Sequence, residues 1–206
     1  MEYKKKNTPI VMIDSNLQEV EGIAYIGQDS YQSGYLGGKL LSYSIKTESN
    51  VLILKITRNL ESTTRTNVFL QRIKGFYSYF EEKKHLPKFN FTEISIKYDT
   101  ENQLTKDMFA GIDCVFVPNS RVHVVAKFIK ENDLKDIRIV GYELLKQNLE
   151  YLNDGVIDFL IHQKPEDQGY MGITHLYKKS VLKEPVEDLH YMPLEIIVQE
   201  NCMIKK

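Results

Sequence analysis

Apolar positions along the chain fall in short runs that alternate with longer amphipathic stretches. Residues 9–13 (PIVMI) are continuously apolar and end on the polar cluster Asp14-Ser15-Asn16. A short run apolar on both faces predicts a buried parallel strand. Residues 23–26 predict a second strand, closed by Gly27-Gln28-Asp29. Over 30–45, Tyr31, Gly34, Leu36, Gly38, Leu41 and Ile45 recur at helical spacing, with Asp29 or Ser30 available as N-cap. A strong strand is predicted at 51–56, a polar loop at 57–67, and a helix at 68–84 with Phe69, Ile73, Phe76, Tyr77 and Phe80 on one face. Strands at 94–98, 114–117, 137–140, 157–161 and 192–198 then alternate with helices at 102–110, 122–130, around Leu149, and at 166–182.

Strands and helices alternating at this spacing imply parallel βαβ units and an α/β fold with doubly wound parallel sheets. Ligands of such sheets bind beyond the carboxyl ends of the strands, where the topology switches. That rule selects the polar strand tips Asp14, Asn119, Glu143 and Gln163. Any one tip, taken alone, reads first as a loop cap or turn residue. Four tips on one rim favour a pocket.

Composition narrows the function classes. The 206 residues are 42% hydrophobic and 27% charged, as in an ordinary globular protein. A formal net charge of -1 argues against this piece gripping nucleic acid by itself, since phosphate binding needs a local cationic excess. The basic run Lys4-Lys5-Lys6 reads as a solvated terminus. Cys114, inside an apolar run, reads as a small buried hydrophobe, and neither it nor Cys202 has a second ligand at metal spacing. The first residues carry no apolar signal region and no stretch approaches a membrane span, so the chain reads as cytoplasmic. No dinucleotide fingerprint, phosphate loop, zinc-protease motif or serine elbow is present; Gly34, Gly37 and Gly38 lie inside a helix and suggest close helix packing instead. His123 and His175 fall within helices as structural or surface groups. His162 stands beside the tip at Gln163, where a ligand contact or a plain backbone partner is open. No catalytic residue, metal or cofactor is expected, and binding outranks catalysis.

The order of motifs resembles the effector-binding domain of LacI-type transcriptional regulators, which share the periplasmic-binding-protein type 1-like fold. The matching residues are 9–14 (PIVMID), 26–29 (IGQD) with Gly34 five positions on, 72–76 (RIKGF), 115–119 (VFVPN), 139–143 (IVGYE) and His162-Gln163. The resemblance implies two lobes closing around a small molecule, usually a sugar or nucleobase, with closure altering a DNA-bound dimer. It makes residues 1–27 and 164–191 a partial N-terminal lobe and residues 28–163 and 192–206 the C-terminal lobe. The first strands of the N-terminal lobe and the helix-turn-helix DNA-binding head are expected to be missing. In that picture Asp14 and Glu143 accept hydrogen bonds from ligand hydroxyls on opposite sides of the ring. Arg72 reaches the ligand as a multi-donor fork. Asn119 donates and accepts at once, which suits a vicinal diol. Gln163 sits where the chain crosses between lobes. Tyr31 and Tyr142 pack against a sugar face or, equally, in the core or hinge. Two residues depart from the family pattern: Glu143 stands where Asp is usual, and Ser120 where an acidic residue is usual.

The expectation is therefore a sugar effector-binding domain of a regulator, acting in the cytoplasm as a homodimer, with DNA bound only through the missing head. The alternative is a periplasmic or chemosensory sugar-binding protein of the same fold. An enzyme on a doubly wound sheet and a dimerisation module without a ligand are the remaining readings.

Overall fold

The computed structural model describes residues 8–15, 23–43, 48–57, 63–97 and 103–202, and for 63–66 the backbone alone. The basic run at 4–6 lies outside these residues, as do Asn16, Ile45, Tyr98 and Asn102. In chain order the elements are β1 (Ile10–Ile13), β2 (Ile23–Gly27), α1 (Ser30–Ser42), β3 (Ser49–Thr57), α2 (Thr63–Glu82) and β4 (Phe89–Lys97). After a 3-10 turn (Lys106–Phe109) come β5 (Cys114–Phe116), α3 (Val122–Glu131), β6 (Arg138–Tyr142), α4 (Lys146–Asn153) and β7 (Phe159–His162). Next are α5 (Pro165–Tyr177), continued by a π turn (Lys178–Leu182), then β8 (Leu189–Tyr191) and β9 (Glu195–Ile197). The chain forms two units: Met1–Asp29 with Gln163–Leu194, and Ser30–His162 with Glu195–Lys206.

The larger unit carries a six-stranded sheet of order β4-β3-β5-β6-β7-β9, parallel throughout except for β9. Its first strand, β3, lies between the second and the third, so the sheet grows first one way and then the other. The boundary between β3 and β5 is the topological switch point. Helices cover both faces, as a parallel sheet with buried strands requires. Gly141 sits against Val122 of α3, whereas its neighbour Tyr142 turns to Ser33 of α1 on the opposite face. The core on the α3 side gathers Leu52, Leu54, Val115, Ile139 and Leu160. On the other side Phe116 stacks on Phe76 of α2 at 4.2 Å between centroids.

Helices α1 and α2 cross at a pair of glycines. A Cβ on Gly34 would lie 1.8 Å from the Arg72 carbonyl oxygen, and one on Gly75 would lie 1.9 Å from the Tyr31 carbonyl oxygen. Only backbone fits there, which accounts for the helical glycines without any phosphate role. The smaller unit holds a three-stranded parallel sheet of order β1-β2-β8. Helix α5 approaches β1 through Gly172, whose added Cβ would stand 3.2 Å from Ile13 Cγ2.

Some elements differ from expectation. Helix α2 starts at Thr63 inside the expected loop, because residues 63–67 carry no apolar period yet include no Pro or Gly to stop a helix. Strand β4 begins at Phe89 rather than 94. Phe89 and Phe91 pack on Phe80 while Ile94 and Ile96, of opposite parity, face the other core, so the apolar pattern changes face midway and conceals the strand. The strand expected at 192–198 shortens to β9, and β8, which the sequence pattern does not predict, precedes it in the other sheet. The helix expected at 102–110 reduces to the 3-10 turn.

Candidate functional site

The carboxyl ends of β3, β5 and β6 bring a set of polar groups together around the switch point. Asn119, just past β5, donates from Nδ2 to the Ile56 carbonyl near the end of β3 at 2.6 Å. Its Oδ1 accepts the Arg121 amide at 3.1 Å, closing the turn into α3. The side chain thus clamps the switch point and retains one N–H beyond these two bonds. Thr57 ends β3, and its buried hydroxyl finds no hydrogen-bond partner among the described residues. A buried hydroxyl in that condition is costly unless another group satisfies it.

Arg72 projects from α2 into this rim and is only 4% exposed. Its Nη1 donates to the Pro118 carbonyl at 3.0 Å, and its guanidinium carbon lies 3.9 Å from the centroid of the Tyr142 ring. A desolvated guanidinium over an aromatic face is held by the ring quadrupole as well as by hydrogen bonding. Tyr142 is fully buried beneath it, 3.4 Å from the Ser33 hydroxyl, and burial holds its phenol well above the usual range. The ring therefore serves as a neutral platform for the cation, in place of an exposed sugar-stacking face. The glycine crossing at Gly34 fixes the backbone of Arg72 itself.

Glu143 leaves β6 with φ of 72°, and its amide donates to Ile161 at 3.1 Å. The left-handed turn swings its carboxylate out of the strand direction, at a cost of about 1 kcal/mol for a residue with a Cβ. Its Oε2 lies 3.8 Å from His162 Nδ1, with both side chains mostly buried. Asn148 of α4, fully buried, holds this geometry: its Nδ2 lies 3.0 Å from the Tyr142 and Glu143 carbonyls and 3.1 Å from that of Ser120. On its other side, Oδ1 accepts the His123 amide at 3.1 Å and lies 2.9 Å from His123 Nδ1. Asn148 and Thr57 carry no signal in the sequence, since each matters only through what it meets.

Arg72, Asn119 and Glu143 accordingly share one rim of the larger sheet. Asp14 and Gln163 belong to the smaller unit. Asp14 ends β1 in the left-handed region, with φ of 64° and an exposed side chain; its amide donates to Ile26, and its carbonyl accepts the Tyr25 hydroxyl at 3.2 Å. Gln163 precedes α5, and its carbonyl accepts Gln168 Nε2 at 2.7 Å. Cys114 lies fully buried in β5, and burial pushes its thiol up to about 12. Among the described residues no three His, Cys, Asp or Glu side chains gather as a metal site, and no helix is long and apolar enough to cross a membrane.

Known proteins share this fold. A protein assigned to the LacI transcriptional regulators, from Bacteroides fragilis, superposes with a TM-score of 0.85 at 25% identity, over 97% of this chain and 69% of its own. A carbohydrate transporter solute binding protein from Agrobacterium radiobacter, solved with D-arabinose, superposes at 0.80 and 24% identity, over 98% and 70% of the two chains. For a glucose-galactose binding protein from Geobacillus stearothermophilus the values are 0.79 and 21%, over 98% and 72%. No curated protein sequence matches the chain. The model of the periplasmic binding protein domain matches residues 1–183. On that match the chain belongs to the periplasmic binding protein domain family.

Proposed function

We propose that the chain is a small-molecule effector-binding domain of a LacI-type transcriptional regulator, with a carbohydrate as its effector. The observation that carries the binding role is the rim at the switch point. There a buried guanidinium, an amide with donor capacity left, a swung-out carboxylate and the Thr57 hydroxyl surround the carboxyl ends of β3, β5 and β6. Donors and acceptors interleaved in this way suit a polyhydroxylated molecule, each of whose hydroxyls both donates and accepts. Among the described residues none of these groups forms a nucleophile and base pair, which favours binding over reaction. The relative from Bacteroides fragilis favours the regulator reading, in which the chain works in the cytoplasm as a homodimer and any DNA contact comes from a separate head. The solute binding proteins that share the fold support the second reading, a transport or chemosensory sugar receptor.

A thermal-shift panel of pentoses, hexoses and nucleosides tests the binding role, because a ligand selective for the folded state raises its stability. A sugar at a hundred times its Kd should stabilise by about 2.7 kcal/mol. Arg72→Met should abolish the shift while leaving a folded protein, and no response from any class would sink the sensor reading. Deleting the gene then separates the two roles. A regulator changes transcript levels on addition of the sugar, whereas a transport receptor changes its uptake.

A further inference from the structure

The rim carboxylate Glu143 belongs to a row of three ionisable residues. Strands β6, β7 and β9 are neighbours in the larger sheet. Their register sets Tyr142 beside Ile161, so Glu143 and His162 come level one residue on, and Glu195 of β9 is the antiparallel partner of His162. Directly opposed residues of an antiparallel pair send their side chains to one face, with Cβ atoms about 5 Å apart. An imidazole thus stands on the middle strand with a carboxylate on either side. His162 is also the last residue of the larger unit before the chain leaves it, and Glu195 the first on its return.

Glu143 Oε2 lies 3.8 Å from His162 Nδ1, too long for a hydrogen bond and short enough for an ion pair once the ring is charged. The two side chains are only 16% and 15% exposed, so salt screens a charge pair there poorly. Helix α1 also packs on β7 and brings Tyr31 and Tyr35 in its first two turns, with Lys39 beyond them. Lys146 opens α4 three residues past Glu143, and Lys164 follows His162 by two. Between pH 5 and 8, ordinary carboxylates, phenols and ammonium groups keep one charge state, and imidazole alone changes. The Glu143 backbone is fixed on both sides, its amide donating to Ile161 and its carbonyl accepting from Asn148. What remains is rotation of a side chain with three torsions, enough to carry the carboxylate between the imidazole and the rim.

We propose that His162 is a proton-operated positioning residue for Glu143. Charged, the ring draws Glu143 and Glu195 to itself across three adjacent strands; neutral, it releases Glu143 to the rim. A sugar hydroxyl that uses Glu143 as acceptor then competes with the charged ring, and binding weakens as pH falls through the histidine range. That last consequence rests on the binding role proposed above, whereas the switch itself does not.

Double-mutant cycles by urea unfolding of the full 206-residue chain test the switch without any ligand. His162→Asn keeps a donor nitrogen near the place of Nδ1 but cannot take a proton. In the cycle with Glu143→Gln, coupling at pH 5.5 should favour the folded state about tenfold, or about 1.4 kcal/mol. At pH 8 it should shrink to within about twofold of none. The cycle with Glu195→Gln should change in the same direction. A second measurement uses the unmutated chain, carbon-13 labelled at its glutamate carboxyls, with the Glu143 resonance assigned by its loss in Glu143→Gln. That resonance should show a step between pH 6 and 7, and His162→Asn should remove it. Coupling equal at both pH values in either cycle, or a Glu143 resonance with no step in that range, would overturn the proposal. The resonance decides even where a variant fails to fold.

Discussion

The two units solve the same parallel α/β problem with different completeness. In the larger one, Val51, Leu52, Ile53 and Leu54 of β3 are all fully buried, and even the crossing helices come to backbone contact at Gly34 and Gly75. In the smaller one, Ile10, Val11 and Met12 of β1 are only half-buried and Ile13 is exposed, while α5 shows its large apolar residues to solvent. Parallel strands need cover on both faces. The polar rim stands on the tightly filled sheet. A site that must hold a buried cation in one orientation needs supports that cannot shift.

The sharpest way to break this contrast is to force a side chain into the glycine crossing. Gly34→Val would drive its side chain into the Arg72 carbonyl, where rigid backbone cannot yield. Overpacking of this kind costs about 3 kcal/mol or more, and it should also displace Arg72 from Tyr142. Urea unfolding should report the loss, and a wild-type midpoint would show that the helices separate easily. Next in size is Asn148→Ala, which leaves the carbonyls of Ser120, Tyr142 and Glu143 without their shared donor. Loss of a buried amide serving several acceptors should cost about 2 to 3 kcal/mol. It should also weaken ligand binding through the loosened Glu143 turn, so an unchanged affinity would remove Asn148 from the support of the rim.

Much of the larger unit is legible from residue pattern alone. Runs such as 51–56 and 114–117 are apolar on both faces, and the tip rule leads directly to Asn119 and Glu143. Arg72 is different: one arginine on an amphipathic helix looks like any solvated cation, and only the resemblance singled it out. Asn148 and Thr57 stay hidden because their importance comes from tertiary partners, which spacing does not encode. The smaller unit reads less well for a physical reason. Strand β8 contributes three residues, Leu189-His190-Tyr191, too few for a period, and two of them are exposed. With little burial there is little pattern.

Protonation offers a finer test of how closely the larger sheet is packed. Burial raises the Cys114 thiol from its ordinary value to about 12, so the folded state favours the neutral form. The sign follows by linkage: the stabilisation is fully present below the unfolded thiol's value near 9 and is lost as pH rises towards 12. Within that window the wild type should lose about 1.4 kcal/mol per pH unit more than Cys114→Ala does. Parallel stability profiles for the two proteins from pH 8.5 to 10.5 would mean that water reaches β5.

The smallest effect carries the opposite sign and belongs to the smaller unit. Gly169 lies within α5, and a Cβ built there meets nothing within 4 Å. Its φ is not in the left-handed region, so an alanine fits without strain. Gly169→Ala should then stabilise by about 0.5 to 1 kcal/mol, through helix propensity and a less flexible unfolded chain. The same kind of change, a side chain added to a helical glycine, should thus be harmful in α1 and helpful in α5. If chemical denaturation shows Gly169→Ala to be destabilising, then α5 meets a surface at that position in solution.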